Sequence, residues 1–100
     1  MKQYLLRGTG TAPTLVRMRG VPIRADESKI RQKLAEAEHA EGLCLSLLKV
    51  QIPDIPDYVK TKQMTVLLTF STYEDGVQAS RLDVVFEEGE ETYDVRLSLV

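Results

Sequence analysis

The sequence predicts a single α+β domain over residues 1–100: a mainly antiparallel, twisted sheet of about five or six strands, with one helix at about 26–41 packed on one face. Three observations lead there. The C-terminal third alternates apolar and polar residues with a period of two, as half-buried strands do. Residues 26–42, DESKIRQKLAEAEHAEG, instead repeat apolar residues at helical spacing. A hydrophobic content of 43% on 100 residues supplies one core, aliphatic in character because Trp is absent and aromatics make up 6%.

The N-terminal part reads as a hairpin, with strands around Tyr4–Arg7 and Leu15–Arg24 joined by the loop GTGTAP. Gly20 and Pro22 mark the second strand as bulged or at a sheet edge. In the helix, Asp26 caps the first turn and Glu27 suits the positive end of the helix dipole. Ile30, Leu34 and Ala37 form a narrow apolar stripe, and Gly42 stops the helix. The run LCLSLLKV at 43–50 fits either a strand or a continuing helix. Gly42 before it and Pro53 after it assign it as a central strand. In QIPDIPDYVK, residues 51–60, the prolines bias Ile52 and Ile55 towards extended backbone. The segment reads as a stiff crossover whose isoleucines pack at the sheet margin.

The rest reads as a three-strand meander. Met64, Val66, Leu68 and Phe70 share one face of the first strand, and YEDG at 73–76 forms a turn. The apolar parity changes near Ser80 and Arg81, as it would at a β-bulge within a second strand ending near Phe86. EEGEE at 87–91 makes another turn, and Tyr93, Val95, Leu97 and Leu99 face inward on the last strand. Leu67 and Val85 on the polar side, with Val100 at the end, suggest a second, partly apolar surface, either suited to a partner or a homodimer or covered by the N-terminal hairpin.

The net charge of −2 conceals a gradient: residues 1–50 balance to +4 and residues 51–100 to −6. Arg17, Arg19 and Arg24 fall in an N-terminal segment without any acid, which can mark a polyanion-binding face. The simpler reading is that the basic strand lies beside the acidic part and is neutralised there. Base-stacking aromatics are missing around these arginines, and the pI near 5.4 opposes nucleic-acid binding for the domain as a whole.

Chemistry finds little support. One His (His39) and one Cys (Cys44) are too few for a His/Cys zinc site, so no metal and no cofactor is expected. Cys44, between two leucines, reads as a small packed hydrophobe rather than a nucleophile. The loop RGTGTAP at 7–13 lacks the Lys and Ser/Thr ending of a phosphate-binding loop. No apolar run approaches the roughly 18–20 residues of a membrane span. With a single cysteine, this suggests a soluble, cytoplasmic protein.

The expectation is therefore a non-enzymatic domain that binds another protein or itself. Its contacts would come from Asp54, Asp57 and Tyr58 in the proline loop and from Glu87, Glu88, Glu90 and Glu91 at the acidic turn. The alternatives are a nucleic-acid-binding accessory protein using Arg17, Arg19 and Arg24, or a binder of a small ligand between helix and sheet.

Overall fold

The computed structural model describes residues 13–100. Along the chain run β1 (Thr14–Pro22), α1 (Glu27–Ala40), β2 (Leu47–Gln51), β3 (Gln63–Phe70), α2 (Tyr73–Ala79), β4 (Val84–Glu88) and β5 (Glu91–Leu99). The strands form one sheet in the order β2-β3-β1-β5-β4, with every neighbouring pair antiparallel. β1 and β2 are thus parallel with β3 between them, and β3 and β5 are parallel with β1 between them. Two split β-α-β units interlock, and β4 is added as the outer strand of a hairpin with β5.

The α+β class and the antiparallel sheet agree with the sequence; the connectivity and the helix count do not. The expected meander is absent, because β1 lies between β3 and β5. β1 is central, with β3 and β5 on its two sides, so the second strand of the expected N-terminal hairpin is no edge strand. Its proposed partner at Tyr4–Arg7 and the loop 7–12 lie outside the described residues.

β1 is bulged, as Gly20 suggested. Arg19 pairs with Thr65 and Val21 with Met64, so Gly20 is skipped in the register. Gly20 takes φ 86°, a left-handed conformation that is costly for other residues. The extra residue keeps Val16, Met18 and Val21 all buried on one face while Arg17 and Arg19 point to the other.

α1 forms as its sequence specifies. The Asp26 carboxylate accepts from the Lys29 amide at 2.8 Å, and Ile30 and Leu34 are fully buried. At its end the Leu43 amide donates to the Glu38 carbonyl at 2.8 Å and the Gly42 amide to that of His39 at 3.1 Å, the paired bonds of a Schellman motif. The apolar run that follows is divided. Leu43 and Leu45 pack against the core around the helix end before β2 begins at Leu47. With two leucines used there, β2 is a short strand at the sheet edge, not the central strand expected. Cys44 between them points outward and is exposed, so it is not a packed hydrophobe.

α2 replaces the predicted YEDG turn. The Thr72 hydroxyl accepts from the Asp75 amide at 3.1 Å, and Glu74 and Asp75 sit in the first turn, at the positive end of the helix. The Asp75 carboxylate also accepts from the Ser46 amide at 2.9 Å, tying α2 to the approach of β2. Gly76 makes no turn. It lets the helix sit close to the sheet, since a Cβ there would lie 2.7 Å from the Thr14 Cγ2. The parity change at Ser80 and Arg81 is accordingly a passage from helix to strand rather than a bulge.

This contact gives a first prediction. Gly76→Ala gains about 1 kcal/mol of helix propensity but incurs about 1–3 kcal/mol of overpacking, a net loss. Thr14→Ser keeps the hydroxyl and removes the clashing methyl, so Gly76→Ala is expected to become stabilising in that background. Urea unfolding midpoints of the four proteins in the cycle test this; Gly76→Ala stabilising the native background would refute the close contact.

Both helices cover the same face of the sheet. Between the helices and the sheet, Val16, Met18, Phe70 and Phe86 from the strands and Ile30 and Leu34 from α1 are at most 1% exposed. The opposite face has no covering element among the described residues.

Candidate functional site

That uncovered face is built by strand register. One row across the sheet runs Gln51, Leu67, Arg17, Ser98, and the next runs Thr65, Arg19, Arg96. A third joins Lys49, Thr69 and Leu15. Arg19 thus stands directly opposite Arg96, with Arg17 two residues along β1 on the same face. Like charges opposed across a strand pair are destabilising. Among the described residues no carboxylate forms an ion pair with any of these three arginines. The expected neutralisation of the basic strand by its acidic neighbour does not take the form of ion pairs, although Asp94 shares the face. Around the arginines the same face carries aliphatic side chains: Leu15 is 40% exposed, Val85 is 42% exposed and Leu67 is half-buried.

The second assembly is at one end of the sheet. The β2–β3 loop, 52–62, connects adjacent antiparallel strands and is a long hairpin loop rather than a crossover. Its isoleucines part company: Ile55 packs against the core, whereas Ile52 stays 39% exposed. The Val59 amide donates to the Pro56 carbonyl at 3.0 Å, closing a turn that carries Asp57 and Tyr58 at its tip. Tyr58 is 81% exposed, and Asp54 and Asp57 are exposed.

The β4–β5 hairpin reaches the same end. Glu88 pairs with Glu91 across a two-residue turn of Gly89 and Glu90, and the Lys62 ammonium, from the β2–β3 loop, lies 3.6 Å from the Glu91 carboxylate. A groove of about 530 Å3 runs between the two, lined by Arg24, Lys62, Glu88, Glu91 and Tyr93 among others. The Tyr93 hydroxyl donates to Glu91 Oε1 at 2.9 Å. This bond, partial desolvation, and the negative charges of Glu91 and Glu88 raise the phenol above its ordinary value, while Arg24 acts in the opposite sense. The phenol therefore remains a protonated donor throughout the neutral range.

The candidate residues thus fall into two places. Asp54, Asp57, Tyr58, Glu88, Glu90 and Glu91 gather at the sheet end, while Glu87 reaches the rim of the open face beside Val85. Arg17 and Arg19 lie on the open face; Arg24 is separated from them at the end groove. Arg96 and Lys49 escaped the sequence reading. The alternation along β5 places Arg96 outward, whereas the run 43–50 has no such alternation to place Lys49, and the nearness of both to Arg17 and Arg19 depends on the strand order. Among the described residues no three His, Cys, Asp or Glu side chains converge as a metal site, and His39 and Cys44 are both exposed at the end of α1. The space between helices and sheet is filled by core side chains, which leaves little support for a ligand held there. No helix among the described residues is long and apolar enough to cross a membrane. No family model, curated protein or solved structure matches the chain.

Proposed function

We propose that this chain is a non-enzymatic protein-binding domain that docks an acidic protein surface on the open face of its sheet. The observation that carries the reading is the arginine group. Arg19 faces Arg96 at a cost to the free protein, with Arg17 beside them and, among the described residues, without an ion pair. A partner's carboxylates would relieve that repulsion. Arginine set among aliphatic side chains is also the composition found at the centres of protein interfaces. Five strands spaced about 4.8 Å apart present a face of roughly 600 Å2, close to the roughly 800 Å2 per partner of a standard interface.

Nucleic acid is the second reading, and the same arginines favour it. Against it, the open face carries no aromatic side chain for base stacking among the described residues, shares its surface with Asp94 and Glu87, and does not include Arg24.

One experiment separates the two. The domain and its Arg17→Glu/Arg19→Glu variant are immobilised and exposed to native lysate with and without nuclease. Proteins retained by the first, lost by the second and insensitive to nuclease support protein docking. Retention abolished by nuclease, with direct binding to a purified oligonucleotide, would replace it with the nucleic-acid reading.

A further inference from the structure

We infer that the acidic surface docked on the open face is that of a second copy of this chain, bound head to tail through its β2–β3 loop. The inference rests on the docking reading above and names the partner. A face-to-face dimer is opposed by charge, since it would bring Arg17, Arg19 and Arg96 of both copies together around a two-fold axis. The chain carries the complementary surface elsewhere. At the sheet end Asp54 and Asp57 are exposed, and neither makes an ion pair among the described residues. Glu88 and Glu90 of the adjacent hairpin add negative charge at that end.

The loop offers more than charge. Tyr58, at the tip of the Pro56–Val59 turn, is 81% exposed, the most exposed large apolar side chain among the described residues. A tyrosine preceded in the loop by two exposed carboxylates, Asp54 and Asp57, and followed by Lys60, is a fitting anchor for a surface of arginines and aliphatic residues. The ring can lie over Leu15 or Leu67 or stack on a guanidinium, while Asp54 and Asp57 pair with the remaining arginines. The prolines and the partly buried Ile55, packed against the core, hold the loop in shape, so little ordering is lost on docking. Because the two contacting surfaces differ, the contact is heterologous. The dimer still offers one free face on one copy and one free loop on the other, and association continues past it unless a ring closes.

The test uses two neutralised variants of the full chain: a face variant, Arg17→Gln/Arg19→Gln, and a loop variant, Asp54→Asn/Asp57→Asn/Tyr58→Ala. Sedimentation equilibrium of the native protein at about 20 mM salt is expected to show average mass rising with concentration beyond the dimer. At about 500 mM, where the screening length falls to roughly 4 Å, it should return towards the monomer. Each variant alone should associate about tenfold or more weakly. An equimolar mixture should recover association and stop at the dimer, since one native face and one native loop remain between two chains.

A native protein that stays monomeric at low salt overturns the inference. So does a loop variant that associates like the native chain. If either result accompanies lysate capture that still depends on Arg17 and Arg19, the docking face stands and its partner is another protein. If capture too is unaffected by those arginines, the docking reading fails as well.

Discussion

Gly20→Val is expected to destabilise the domain by about 3 kcal/mol, from two additive causes. Gly20 holds φ 86°, where a side chain costs about 1–2 kcal/mol, and more when β-branched. A Cβ at this position would also lie 3.0 Å from the carbonyl oxygen of Asp94 on β5. That oxygen belongs to the backbone of a paired strand and has little freedom to move, so about 1–3 kcal/mol of overpacking is added. For a domain of this size the loss corresponds to a fall in melting temperature of roughly 15 °C. Gly42→Ala is the control: Gly42 also has positive φ but has nothing within 4 Å of the added atom, so it isolates the conformational part. A Gly20→Val protein within about 0.5 kcal/mol of the native one would mean that β1 tolerates a different register, since ordinary surface substitutions fall in that range. The bulge matters for the site as well. It turns Val21 inward while Arg17 and Arg19 remain outside, and a strand without it would exchange faces beyond Arg19.

That bulge was legible in the sequence, and so were α1 with its cap and stop, the inward residues of β3 and β5, and the acidic hairpin turn. Each is signalled within a few neighbouring residues: a capping aspartate, an apolar period, a glycine beside a proline. The strand order was not. Nothing local in LVRMR distinguishes a strand between β3 and β5 from one at an edge, because both present one apolar face. The choice is made by how α1 and α2 cover the sheet together. α2 was obscured by composition. Thr72 followed three residues later by Asp75 is a capping signal, but Gly76 suggested a turn because its steric use against Thr14 requires the fold to be known. The open-face cluster was half legible for the same reason. Arg17 and Arg19 share a strand and a parity, whereas Arg96 joins them only through the pairing of β1 with β5.

Phe86→Ala is expected to cost about 3–5 kcal/mol, whereas Val85→Ala one position earlier should fall within about 1 kcal/mol of the native protein. The two residues lie on the same short edge strand but on opposite faces, and Phe86 is also the larger side chain. Phe86 is 1% exposed within the core cluster, on the helix-covered face of the sheet. Its removal leaves a void that the surrounding side chains fill only in part. β4 is paired on one side alone, so partial collapse around the site should keep the loss nearer the lower figure than for Phe70. Phe70 is fully buried and sits between β1 and β2, and Phe70→Ala should approach the upper one. Val85 is 42% exposed on the open face and gives up little buried area. Urea unfolding of the three variants measures the contrast, and equal losses at 85 and 86 would mean that the open face is covered in solution. If covering is by a second copy, the loss at Val85 grows with protein concentration and disappears at high salt; covering within one chain would depend on neither.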